Sequence, residues 1–423
     1  MAVIFITLII LLICGVPIAV ALGVASITNM LVDGGIPMLA VGQRIIAAND
    51  SFPLLAVPFF MFAGTVMTKG GISGRLVNFA QTIVGSIRGG LAMVATVASM
   101  FFAAISGSSA ATTAAVGSSL IPSMKEKGYA DDFSAATIAA AGTTGIVIPP
   151  STTMVVYGVV TGTSIGKLFM GGFIPGLLMG LAMMLVIYYQ ATKRGYKGEK
   201  RAKGSEIFVA FKDAVWGILM PLIILGGIYG GVFTPTESAA VACAYGLIVG
   251  LFVYKEIKLK DIMDLVKSSV YQTAIVMFIL ATANLFGWLL VANSIPQKLA
   301  ASMLALTNNS IIIMMIINIL LLFVGTFLNA TAAVSILAPI LYPVVTKVGI
   351  DPVAFGVIMT VNLAIGCITP PVGVDLFVAQ SITGIDLMKI AKAVIPLLAA
   401  LIAVLIIITV FPQLITILPG MLQ

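Results

Sequence analysis

The chain has no histidine, only three cysteines and two tryptophans, and only 9% charged residues among its 423. Each shortage removes a class of chemistry. Without imidazole there is no His-Glu-x-x-His zinc site, no imidazole base and no histidine proton relay. Cys14, Cys243 and Cys367 stand singly in apolar stretches, as small hydrophobes do, and make neither a thiol pair nor a metal cluster. With 60% hydrophobic residues and so little charge, the chain is no soluble globule. Apolar stretches of about 18 residues or more recur along its length, as membrane-spanning helices require. The fold class expected is an all-α polytopic protein in a lipid bilayer. A net charge of +7 reads as lysines and arginines in cytoplasmic loops, so no nucleic-acid partner is expected. Met1 leads straight into AVIFITLIILLICG with no basic start and no Ala-x-Ala site, so no cleaved signal peptide is expected.

What is present is one stretch and its echo. Residues 104–151 and 325–372 align without a gap at a shift of 221 positions, the distance from Pro149 to Pro370. Pro122 then falls on Pro343, Gly128 on Gly349, Gly145 on Gly366 and Pro175 on Pro396. A duplicated half with small polar residues and Gly-Pro breaks inside apolar helices points to a secondary-transporter binding site.

In the first half, apolar limbs Gly90–Ile105 and Ala110–Met124 flank the polar turn Ser106–Ser109. Each limb has roughly fifteen residues, about 22 Å of helix against a bilayer core of about 30 Å. Such a pair predicts a re-entrant hairpin whose tip stops within the membrane and lines a cavity or packs in protein. Asp131–Thr144 and Thr152–Thr161 are half-helices parted at Gly145–Ser151, where two prolines remove backbone donors. The second half repeats this plan with a hairpin around Leu328–Thr331 and a break at Gly366–Val372. A last span covers 390–418. The divisions expected are scaffold helices 1–88, a transport unit 89–165, a connecting helix and basic loop 166–212, scaffold 213–307, a second transport unit 308–386 and a closing helix 387–423.

If Lys193–Lys203 is cytoplasmic, two spans return Lys255–Lys260 to the same side. Of 22 lysines and arginines, only Arg44, Lys167, Lys298 and Lys347 then lie outside. That asymmetry places the N-terminus outside and gives the two repeats inverted topology.

Two hairpin tips and two breaks should meet pairwise near the midplane, where freed carbonyls suit a hard cation and freed N–H groups an anion. The candidate sodium ligands are Ser106, Ser108, Gly145 and Ile148 in one half, and Gly325, Leu328, Gly366 and Thr369 in the other. For an anionic substrate they are Ser109, Ser151, Thr152, Asn329, Thr331 and Asp375. Small hydroxyl residues also serve close helix packing, the alternative for any one of them. Asp375, a carboxylate in an apolar helix, could meet substrate, a cation or a proton, or cap the helix start. Thr234 and Glu237 form a capping pair at a helix start.

The runs SGSSAATTAAVGSSLIPSM, GIVIPPS, GGVFTPTESAAVACAYG and GCITPPVG resemble the large membrane subunit of tripartite ATP-independent periplasmic (TRAP) transporters, most of all the sialic-acid branch. The resemblance covers essentially the whole chain. It implies an elevator mechanism in a bacterial inner membrane, a small four-helix membrane subunit and a periplasmic substrate-binding protein. It also implies at least two sodium ions, whose positions extend over Gly145–Pro150 and Gly366–Val372 and so add Pro150 and Val372 to the candidates. The substrate implied is a small organic anion, sialic acid or another carboxylate such as a C4-dicarboxylate. The rival readings are a stand-alone Na⁺- or H⁺-coupled carboxylate carrier, a channel, a non-transporting scaffold subunit, and an intramembrane enzyme. The last lacks both histidine and a Gly-x-Ser-x-Gly nucleophile motif.

Overall fold

A computed structural model describes residues 2–34, 37–307 and 309–421. Among them every regular element is helical, and seven helices are long and apolar enough to cross a membrane. The first half opens with Ala2–Ile13, Ile18–Asp33 and Leu39–Asn49, followed by Ala56–Lys69 and Ile72–Val84. The second opens with Gly204–Tyr229, Pro235–Ile248, Ile262–Ala292 and Ile295–Leu306. Ala56–Lys69 packs against both Pro235–Ile248 and Ile262–Ala292, which joins the two halves on this side of the molecule.

Each half then makes a hairpin and a broken helix. The first hairpin is Gly90–Ser106 and Ser109–Glu126, the second Ser310–Gly325 and Ala330–Lys347. Their limbs run 17 and 18, then 16 and 18 residues; in the first hairpin the turn residues Ser106 and Ser109 are drawn into the helices, which lengthens both limbs. Ser108 caps one second limb by accepting from Ala111 N, and Asn329 caps the other by accepting from Thr331 N. At about 24–27 Å the limbs come close to the bilayer core thickness. Ala330–Lys347 is itself one of the seven candidate spans.

The first broken helix is Asp131–Gly142, a 3₁₀ turn Thr143–Ile146, and Thr152–Thr161; the second is Pro352–Gly366 and Val374–Thr383. Pro149-Pro150 and Pro370-Pro371 are both cis. Phe133–Gly142 and Val353–Gly366 are buried all round, as helices without a solvent or lipid face must be. The halves interlock. Thr152–Thr161 packs on the second hairpin's Ala330–Lys347, while Val374–Thr383 packs on the first hairpin's Ser109–Glu126.

One helix adds to the sequence expectation and one stretch departs from it. Leu39–Asn49 is a helix although Gln43, Arg44 and Asn49 dilute its apolar run. The closing span 390–418 is two helices, Leu387–Val410 and Gln413–Gly420. Phe411 leaves the helical region before Pro412, the position a following proline disfavours for helix.

Candidate functional site

At the first hairpin tip, Gly107 takes φ +61° and closes Gly90–Ser106 in the left-handed conformation. The turn lies against the first break. Thr152 Oγ1 donates to Gly107 O at 3.0 Å, and a Cβ on Gly107 would lie 2.9 Å from Pro150 O. Ser106 Oγ and Thr112 Oγ1 are 2.8 Å apart, and Thr112 Oγ1 donates to Ser108 O at 2.8 Å. Gly145 sits over this cluster so closely that a Cβ there would fall 2.5 Å from both Ser108 O and Thr112 Oγ1. Ser106, Ser108 and Gly145 are thus brought together, and Thr112 joins them. The sequence reading missed Thr112; its one signal is the spacing of four from Ser108, which points its hydroxyl at that carbonyl. Ile148 and Pro150 lie in the same fully buried break.

The second tip is built from backbone. A Cβ on Gly366 would lie 2.6 Å from both Cα and C of Gly325, so the two helices touch main chain to main chain. Gly373 N donates to Thr326 O at 3.3 Å, tying tip to break. Thr369 Oγ1, in the break past the end of Pro352–Gly366, donates back to Ile365 O at 2.8 Å. Leu328 and Val372 are half-buried, and Phe327 at the tip is 50% exposed. This locus offers main-chain carbonyls and the hydroxyls of Thr326 and Thr369, each already donating to a carbonyl of the preceding helix, where the first offers two hydroxyls and a carbonyl.

Between the tips lies a cavity of about 930 Å³. Ser106, Ser108, Thr152, Asn329 and Thr331 line it, together with Thr65, Thr68 and Lys69 of Ala56–Lys69 and Asp261, Asp264 and Ser268 at the start of Ile262–Ala292. Ala110, Ala111, Ala114, Ala115 and Ser118 supply one wall, and their small side chains leave the room. Gly64 lets Ala56–Lys69 approach the tip, since a Cβ there would meet Ser106 Cα and O at 3.3 Å.

The remaining substrate candidates sit behind this wall. Ser109 is buried at the start of its helix, and Ser151 caps Thr152–Thr161 while donating to Ile146 O at 2.6 Å. Asp375 is 0% exposed, and neither carboxylate oxygen has a hydrogen-bond partner among the described residues; its backbone N donates to Cys367 O at 2.9 Å. Thr153 and Thr331 hydroxyls meet at 3.4 Å where the halves interlock. No group of three His, Cys, Asp or Glu that could hold a metal ion occurs among the described residues. The oxygen clusters at the tips are neutral, and neutral hydroxyls and carbonyls suit a hard monovalent cation.

A membrane-spanning helical body with paired hairpins, paired breaks and a cavity between them is the architecture of a transport permease. The chain belongs to the DctM component of the tripartite ATP-independent periplasmic transporters, whose family model matches residues 5–414. It is 49% identical, over 95% of its length, to the isethionate TRAP transporter permease protein DctMQ of Oleidesulfovibrio alaskensis, and spans 63% of that longer relative. It is 44% identical to the C4-dicarboxylate TRAP transporter large permease protein DctM of Pseudomonas aeruginosa, covering 95% of this chain and 94% of that one. It is 40% identical to the sialic acid TRAP transporter large permease protein SiaM of Vibrio cholerae, over 97% and 96%. Among solved structures, the Alcanivorax borkumensis YdaH transporter shares the fold, with a TM-score of 0.61 at 15% identity over 88% of this chain and 87% of that one. The protein is a multi-pass transporter component and not an enzyme.

Proposed function

We propose that the chain is the ion-coupled, substrate-carrying subunit of a Na⁺-driven importer of a small organic anion. The observation that carries this reading is the cavity into which both hairpin tips and the first break project. Ser108, Asn329 and Thr152 lie at the starts of three separate helices around it. Helix N-termini carry partial positive charge and free N–H groups and so favour an anion. Among the described residues lining the cavity Lys69 is the only lysine or arginine, with Asp261 and Asp264 also in the lining. Sodium would bind behind each tip, at Ser106, Ser108, Thr112 and Gly145 and at Gly325, Gly366 and Thr369. Its charge there would add to the pull on the anion and couple the two gradients. Two inverted halves would carry hairpins and broken helices as a transport unit (89–165 with 308–386) against a scaffold, in an elevator-type movement. The N-terminus would be periplasmic and the membrane the bacterial inner one.

The substrates named for the relatives are a sulfonate, dicarboxylates and a sugar acid, which share an anionic head on a small body. The sialic-acid branch is thus one of several, and the isethionate relative is more similar in sequence. A small four-helix membrane subunit and a periplasmic binding protein would complete the assembly, the latter selecting the substrate. The test is uptake of isethionate, succinate and sialic acid into proteoliposomes holding this chain and its small partner, with binding protein outside. Uptake that requires an inward Na⁺ gradient supports the reading, and uptake driven by H⁺ alone overturns it. Uptake that needs no binding protein would favour the stand-alone carrier.

A further inference from the structure

Two asparagines that neither the cavity nor the hairpin tips use are buried face to face in the second half. Asn318 is 4% exposed and Asn362 0%. Asn362 Nδ2 donates to both the backbone O and Oδ1 of Asn318, each at 3.0 Å. Asn318 Nδ2 donates to Thr409 Oγ1 at 2.9 Å, and that hydroxyl donates to Leu405 O at 2.7 Å. Three side chains thereby tie Ser310–Gly325, Pro352–Gly366 and Leu387–Val410 together. Asn362 Oδ1 has no partner among the described residues, a cost that an apolar side chain would avoid. At the shift of 221 the matching positions in the first half are Val97, Ala141 and Tyr188, so only one half carries the clasp.

Its position in the second half gives the reason. Asn318 lies two turns before Gly325, and Asn362 one turn before Gly366, on the stripe where the two helices cross in backbone contact. The first tip holds hydroxyls that can re-aim by rotating a side chain. The second depends on carbonyls, whose separation is set only by how the helices pack. We propose that the Asn318–Asn362–Thr409 clasp is a positioning device for the second cation locus, fixing the spacing of the Gly325 and Gly366 main chains. This rests on the sodium-coupled reading above.

The experiment is the Na⁺ dependence of uptake in the reconstituted complex for Asn362→Leu and Thr409→Val, with Ser119→Ala as an unrelated control. Thr409→Val removes only the far acceptor and so keeps the test open if Asn362→Leu fails to fold. Both variants are expected to raise the half-saturating Na⁺ concentration, by about fivefold to tenfold for Asn362→Leu, the worth of one buried hydrogen bond. Maximal uptake at saturating Na⁺ should stay within about twofold of the unsubstituted chain. Asn318→Ala combined with Asn362→Leu should cost less than the sum of the two single changes, because the Asn318–Asn362 contact is lost in both. A fall in maximal uptake with unchanged Na⁺ half-saturation overturns the inference and leaves a merely structural clasp. If the unsubstituted chain takes up substrate without Na⁺, the functional reading itself fails.

Discussion

At the scale of the residue, the tips depend on what is missing from glycine. Gly366→Ala puts a methyl 2.6 Å from the Gly325 main chain, which has no rotamer to yield. It should destabilise the folded chain by about 1–3 kcal/mol, the range for overpacked sites, and abolish Na⁺-dependent uptake. Gly226→Ala, inside Gly204–Tyr229 with open space around it, should instead be neutral or stabilising by up to about 1 kcal/mol. Thermal unfolding of the purified complex reads both. Thr112→Val keeps shape and loses the hydroxyl between Ser106 and Ser108. It is expected to raise the Na⁺ needed for half-maximal uptake several-fold, while Ser118→Ala on the same helix leaves it unchanged. Gly145 and Gly366 were legible as the matched glycines of the two breaks, 221 apart, and Ser106 and Gly325 as residues close to the end of each hairpin's first limb. Thr112 was not, since its spacing of four from Ser108 carries meaning only once the helix is known to start at Ser109. Only the cap at Ser108 fixes the helical phase that turns Thr112 to the tip and Thr113 towards Gly142. Burial of Ser109, Ser151 and Asp375 was equally hidden, because it is decided by the other half of the chain packing over them.

At the scale of the element, hairpins and breaks could be read from short apolar limbs around polar turns and from paired prolines. Their ends could not, because caps draw Ser106 and Ser109 into the helices. Nor could the basic connection after Ile165–Arg194, where charge alone suggests a solvated loop. In the structure Tyr196 O accepts from Gly89 N at 3.3 Å and Tyr196 OH accepts from Ala130 N at 2.9 Å. The Tyr196 ring stacks on Tyr129 with centroids 4.3 Å apart. Glu199 accepts from Gln81 Nε2 at 2.7 Å and pairs with Lys127. The segment is a strap that joins Ile72–Val84 to the base of the first hairpin. Glu199→Ala removes the two side-chain contacts of Glu199, to Gln81 and Lys127, and leaves the Tyr196 and main-chain bonds. Faster amide hydrogen exchange is expected across residues 195–203, with the adjoining Gly204–Tyr229 helix unchanged. Equal exchange in both chains would show that Tyr196 and the main-chain bonds hold the strap without Glu199.

At the scale of the whole molecule, charge placement and cavity geometry agree on a direction. Lys69, Asp261 and Asp264 line the cavity rim, and the positive-inside count assigns their loops to the cytoplasm. On that assignment the cavity would open inward, with the hairpin wall Ala110–Ser118 as the surface reached from that side. Ala111, exposed within this wall, becomes a reporter as Ala111→Cys. In inside-out vesicles a membrane-impermeant maleimide should label it well above the unsubstituted chain, and in right-side-out vesicles it should stay unlabelled. Lys298→Cys, on the opposite side in this topology, should show the reverse. Labelling of both from one side would undo the inverted arrangement of the halves. Gly64 then tests the movement itself, since it is where Ala56–Lys69 touches the Ser106 main chain. A side chain there presses on a surface that must slide if the hairpin travels past the scaffold. Gly64→Leu should lower the maximal uptake rate about tenfold or more through this steric block, with little change in the Na⁺ concentration for half-maximal uptake. An unaltered rate would mean that this contact does not change during transport, and that the hairpin and Ala56–Lys69 move as one body.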